Sequence, residues 1–105
     1  MTSRRHKDGD RRDDAVTLSN RGDEWCLAGR LDDAAVDLAR ALGAFEEIGD
    51  RWWAARTRVS IGKVCRVRRK WLAAGQYLDA ALERYGAISD RPAEALALRC
   101  RWYPV

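Results

Sequence analysis

Residues 31–51 read LDDAAVDLARALGAFEEIGDR, and forty residues later 71–91 read WLAAGQYLDAALERYGAISDR. Laid over one another, Leu31, Ala34, Leu38, Ala41, Leu42, Phe45 and Ile48 meet Trp71, Ala74, Leu78, Ala81, Leu82, Tyr85 and Ile88. The spacing is the three-and-four alternation of a helix with one buried stripe, so the two stretches are helices that bury the same face. Ala34, Ala41, Ala74 and Ala81 let a neighbouring helix come close, while Leu38, Phe45, Leu78 and Tyr85 supply bulk.

The lag of forty extends outward from these stretches. Gly9-Asp10-Arg11 recurs as Gly49-Asp50-Arg51 and as Ser89-Asp90-Arg91, Ala15 as Ala55 and Ala95, and Gly22 as Gly62. The segment ahead of each stripe is helical in pattern as well. Asp10, Asp50 and Asp90 are good N-caps, and Pro92 is tolerated in a first turn, where its missing N–H is not needed. The pattern predicts helices over 11–28, 31–48, 51–69, 71–88 and 91–102, with Gly29-Arg30 and Arg69-Lys70 as the turns within units. Glycine inside a helix costs about 1 kcal/mol relative to alanine. Gly22 and Gly62 therefore predict a close helix crossing, against Ala34 and Ala74, each twelve residues on.

At 105 residues the chain has room for one domain or a short stack of repeats, not for two independent cores. With 47% hydrophobic and 34% charged residues and only two prolines, it is a folded, helix-rich chain. Twenty Lys and Arg against sixteen Asp and Glu leave a net charge of +4, which permits a polyanionic partner without requiring one. No apolar run is long enough to span a membrane and none follows Met1 as in a secretory signal, so the expectation is a cytoplasmic protein with no membrane partner. Cys26, Cys65 and Cys100 are odd in number and widely spaced, which predicts reduced thiols and no metal site. The sole histidine, His6, lies in a charged N-terminal segment, so a Ser-His-Asp or Cys-His site has little to stand on. Asp32-Asp33 and Glu46-Glu47 lie beside turns or on outward faces, and neither an enzyme nor a cofactor is expected.

A small residue in the first helix (Gly22, Gly62), then Ala34 or Ala74, Leu38 or Leu78, and Ala41 or Ala81 resembles the tetratricopeptide repeat. The forty-residue period ending in Phe45-Glu46-Glu47-Ile48-Gly49-Asp50-Arg51 is similar to the long variety found in arrays within bacterial regulators and signal-transduction ATPases. The resemblance implies an all-α, right-handed superhelical stack of antiparallel helical hairpins with about five helices. Residues 1–8 carry Arg4, Arg5, His6 and Lys7 with no apolar residue beyond Met1 and are expected to form a disordered tail. The resemblance makes 9–105 one domain, with units at 10–49 and 50–89 and a partial unit at 90–105. Three positions depart from the pattern. Ser19 stands where the second unit has Val59, Arg21 stands where it has Ile61, and the third glycine slot falls on Trp102.

The function implied by the resemblance is a scaffold that binds a peptide or partner protein on the concave face, which the first helices line. The alternative is a severed or regulatory module of a bacterial transcriptional regulator or signal-transduction ATPase. The repeat register places Val16, Ser19, Asp23, Cys26 and Leu27 on that face, then Arg56, Val59, Lys63, Arg66 and Val67, then Leu96, Arg99 and Tyr103. The family's carboxylate clamp of Lys and Asn is not expected, because Ser19, Asp23 and Ser60 occupy its positions. The C-terminal helix, with Leu96, Leu98, Trp102 and Tyr103, is a candidate surface for a homodimer.

Charge is distributed unevenly. Arg51 to Lys70 holds eight bases and no acid, while Asp23 to Asp50 holds eight acids and two bases. On one reading these neighbours neutralise one another. On a second, Arg56, Lys63 and Arg66, spaced seven and three, offer a basic strip to an acidic peptide. Nucleic acid, bound by bases interleaved with Trp52, Trp53 and Trp71, is the weakest reading. The partner-binding candidates are Arg56, Val59, Lys63, Arg66, Trp52 and Arg99. Trp71 is expected in the core with Leu31, Trp25 between helices, and one of the adjacent Trp52 and Trp53 at the surface.

Overall fold

The first three helices end within two residues of their expected ends, and these ends are built alike. The computed structural model describes the backbone of residues 2–87, 91–93 and 97, and the side chains of 9–85, 91–93 and 97. It contains α1 (Thr2–Leu27), α2 (Leu31–Ile48), α3 (Arg51–Val67) and α4 (Trp71–Ala87); residues 91–93 and Ala97 are helical too, and no strand occurs among the described residues. Closure uses the same pair of backbone bonds three times. Gly29 N donates to Cys26 O and Arg30 N to Trp25 O; Gly49 N to Glu46 O and Asp50 N to Phe45 O; Arg69 N to Arg66 O and Lys70 N to Cys65 O. Such a Schellman closure needs a left-handed residue, supplied by Gly29 (φ 80°), Gly49 (φ 74°) and Arg69 (φ 61°). The Asp50 carboxylate caps α3 by accepting from Trp53 N at 3.0 Å.

α1 differs from expectation at its start. It begins at Thr2, so the segment 1–8 read as a disordered tail is helical from Thr2 onward, and Asp10 is an interior residue rather than a cap. Residues 2–8 contain neither Pro nor Gly, and extending an existing helix gains one hydrogen bond for each residue fixed. The expected cap Asp90 lies outside the described residues, as does most of the helix expected over 91–102.

Helices adjacent in sequence pack together. α1 lies against α2 and α3 against α4, α2 joins the pairs by packing on α3, and α1 also touches α3. Ala34, Leu38, Ala41 and Phe45 of α2 are buried, as are Ala74, Leu78, Ala81 and Tyr85 of α4. The stripe that the forty-residue lag exposed is thus the packed face of both helices. Ala97 is buried with Ala55, Val59, Leu78, Ala81 and Tyr85, so chain beyond α4 contributes to the second hairpin's core.

The glycines mark the crossings, with a different partner from the one expected. A Cβ on Gly22 would stand 2.6 Å from Leu38 Cγ, and one on Gly62 would stand 2.9 Å from Leu78 Cγ. The Ala34 and Ala74 carbonyl oxygens lie further off, at 3.5 Å in each case. Glycine is therefore required by the leucine seated on it, and the alanine one turn earlier lets the backbones close.

Trp71 corrects another expectation, because it is half-exposed rather than buried. Its counterpart Leu31 is partly covered in a cluster that includes Val64 of the following unit. The residue forty beyond Val64 is Pro104, outside the described residues.

Candidate interaction face

α1 and α3 meet along a polar seam. At its inner end the buried hydroxyls of Ser19 and Thr57 lie 3.4 Å apart, and Thr57 Oγ1 also donates to Trp53 O at 2.8 Å. One turn along, Arg56 donates to Ser60 Oγ at 3.1 Å and stands 3.7 Å from the Asp23 carboxylate. Further on, the Cys26 thiol has its pKa raised, by burial first and by the Asp23 charge second, with Lys63 opposing. Positions 19, 23 and 26 of α1 thus meet Thr57, Arg56 and Lys63 of α3 in turn, a run set by helical spacing. Ser19, out of pattern as a core residue, is in place as a partner for Thr57.

The expected binding residues separate here. Trp52, Arg56 and Lys63 follow one side of α3 at spacings of four and seven, with Arg66 three further on. Arg56, Lys63 and Arg66 are all half-buried, and the Nε of Arg66 is itself covered. Trp52 is exposed and meets Trp53 edge-on at 5.2 Å, while Trp53 turns inward and stacks on Phe45 at 5.4 Å. Val59 is a correction: it is fully buried against Leu78 and Tyr85, since it sits on the side of α3 that faces α4. Val16 packs at the edge of the core formed by Ala15, Ala41 and Phe45, and Leu27 and Val67 are exposed at the ends of their helices. Arg99, Leu96 and Tyr103 lie outside the described residues.

Much of the charge asymmetry is met by pairing between neighbours. Arg58 reaches Glu46 at 2.9 Å and Arg68 pairs with Asp32, joining α3 to α2; Arg11 pairs with Glu47 and Arg12 with Asp50. Exposed pairs of this kind contribute little stability individually. Comparison of the chain with family models, with curated proteins and with solved structures gave no match.

One constellation was not anticipated. Asp37, 5% exposed, accepts from Arg21 Nε at 2.6 Å and Arg21 Nη2 at 3.0 Å, and from Trp25 Nε1 at 3.0 Å. The Arg21 hydrogen bond, above all, holds the Asp37 carboxyl below its ordinary range, with help from the Trp25 bond. Arg30 in turn lies over the Trp25 ring at 4.7 Å, within cation–π distance. The sign of this cluster in the sequence is Arg21 in the slot that carries Ile61 forty residues later. Among the described residues no group of three or more His, Cys, Asp or Glu gathers to hold a metal, and no helix is long and apolar enough to cross a membrane.

Proposed function

We propose that the chain is a tetratricopeptide-like stack of antiparallel helical hairpins with a right-handed superhelical course, acting as a protein-interaction scaffold. The arrangement is supported by the repeated glycine–leucine crossings and by first helices α1 and α3 that touch one another. The ligand is an acidic peptide segment of a partner protein, bound on the α1/α3 face. One observation carries this reading: α3 sets Trp52, Arg56, Lys63 and Arg66 along the same side, beside a polar seam. An aromatic anchor next to guanidinium and ammonium heads suits a segment that alternates acidic and apolar residues. Within a bacterial transcriptional regulator or signal-transduction ATPase, the same face would receive a segment of a neighbouring domain.

Fluorescence anisotropy with a panel of labelled acidic peptides tests the proposal. At low salt at least one member binds, and joint Lys63→Glu and Arg66→Glu substitution weakens it by about tenfold or more, equivalent to about 1.4 kcal/mol. Trp52→Ala weakens it further. Absence of binding across the panel, or binding indifferent to the charge reversal, overturns the reading. So does a gel shift showing tighter binding to DNA or RNA oligonucleotides than to any peptide.

A further inference from the structure

The bases of α3 leave the helix on two sides. Arg56 turns toward Asp23 of α1, whereas Arg58, about 200° further round at 3.6 residues per turn, turns toward Glu46 of α2. Arg51, seven residues before Arg58, shares its side. There the structure has a cleft of about 190 Å3, floored by Phe45 and Ala54 and edged by Arg51, Arg58 and Arg84. A wider cleft of about 290 Å3 adjoins it, shares Arg58 and Arg84 with it, and has Glu83 at its margin.

The charges around the narrower cleft do not cancel. Its two acids are engaged: Glu46 accepts from Arg58, and Asp50 caps α3 and pairs with Arg12 at 3.0 Å. Arg51 and Arg84 make no ion pair among the described residues. The repeat register shows what has changed at this place. In the first unit Arg11, the counterpart of Arg51, pairs with Glu47. Forty residues on, Glu46 and Glu47 become Gly86 and Ala87, and Ala44 becomes Arg84. Gly43 in turn becomes Glu83, so the end of the second helix passes from two negative charges to one acid and one base, the acid lying on the margin of the wider cleft.

We propose that this cleft is a binding site for a phosphoryl oxyanion, either inorganic phosphate or a small phosphomonoester. Two uncompensated guanidinium groups match the charge of about −1.5 to −2 that a phosphomonoester carries at pH 7, whereas a single carboxylate neutralises only one. Guanidinium forks suit the tetrahedral oxygens. The site lies on a different side of α3 from the peptide face and does not depend on it.

The test is titration of the 15N-labelled chain, followed by amide and arginine side-chain shifts at fixed ionic strength, with inorganic phosphate, O-phosphoserine and acetate. The expected result is a saturable millimolar response to phosphate or phosphoserine at Arg51, Ala54, Arg58 and Arg84. Arg51→Gln with Arg84→Gln, both exposed positions, weakens it about tenfold or more, equivalent to about 1.4 kcal/mol. Arg51→Lys with Arg84→Lys keeps the charge and retains part of the response, separating loss of the site from loss of fold. A stronger response to phosphoserine assigns the site to phosphomonoesters, and a stronger one to inorganic phosphate assigns it to the free ion. A response that does not saturate, survives the Gln variant or is matched by acetate overturns the proposal.

Discussion

The first hairpin seats Leu38 on Gly22, the second seats Leu78 on Gly62, and around this shared crossing the two fill their space with opposite chemistry. Beside Leu38 stand Arg21, Trp25 and Asp37, hydrogen-bonded to one another. Their counterparts forty residues later are Ile61, Cys65 and Tyr77, which lack that set of partners. The same backbone therefore accepts either a charged cluster or a mostly apolar one. The crossing depends on a small residue facing a large one, and the neighbouring positions are left open to variation.

If the crossings are equivalent, Leu38→Ala and Leu78→Ala destabilise by similar amounts, each about 2–5 kcal/mol, because both leucines are buried and leave cavities. That is a large share of a small domain's stability, about 5–15 kcal/mol. Urea unfolding followed by circular dichroism measures it. A loss confined to Leu38 would break the equivalence and make the second hairpin a looser structure. The glycines refine the same comparison, since the added methyl of Gly22→Ala is held closer to leucine than that of Gly62→Ala and should cost more.

The polar cluster gives the next largest effect and a different signature. Asp37→Asn weakens two hydrogen bonds to a guanidinium and one to an indole, for a loss of about 1–3 kcal/mol at neutral pH. The sign with pH follows from the direction of the shift. Asp37 has a lowered carboxyl pKa in the folded state, so its contribution is fully present above the ordinary Asp value of about 3.9 and is lost as pH falls through the folded value. The stability gap between wild type and Asp37→Asn should be constant near neutrality and close in acid. Thermal unfolding from pH 7 down to about pH 3 tests this, and a gap that stays constant throughout would show that the cluster acts by packing. The double change Arg21→Ile with Asp37→Tyr, which installs the second hairpin's residues, should cost less than Arg21→Ile alone. The single change leaves a buried carboxylate with the Trp25 hydrogen bond and the more distant Arg40 charge in place of its guanidinium partner.

The stripes, turns and crossing glycines were legible because each depends on a local rule: helical spacing, a left-handed closing residue, or a missing Cβ. The forty-residue lag then showed each rule operating twice. Arg21 broke the lag visibly, but its reason lay sixteen residues away in Asp37, and a charged residue on a helix gives no sign of which partner will bury it. Val59 illustrates the reverse difficulty. Its offset placed it with Arg56 and Lys63, yet four residues separate it from Lys63 and three from Arg56, and a half-buried helix turns from surface to core within that arc. Trp71 needed knowledge of its cover, which comes from the next unit in the first hairpin's case. The arginine cleft was hidden because it depends on acids that the second unit lacks.

The smallest expected effect lies at the turns. Gly29 and Arg69 hold equivalent closing positions, both left-handed, with the glycine free of Cβ strain and the arginine subject to it. A left-handed L-residue costs about 1–2 kcal/mol, but two terms oppose a full recovery in Arg69→Gly. Glycine gives the unfolded chain more freedom, worth about 0.5–1 kcal/mol, and the arginine charge favours the carbonyl end of α3 through the helix dipole. Arg69 is exposed and makes no ion pair among the described residues, so nothing else is lost. The net expectation for Arg69→Gly is a gain of about 0.5 kcal/mol, seen as a rise of about 2–4 °C in Tm at low salt. Raising the salt should enlarge the gain, because it screens the dipole term that favours arginine while leaving backbone strain untouched. A gain that shrinks with salt would mean that the arginine charge acts at this turn in some way other than on the end of its own helix.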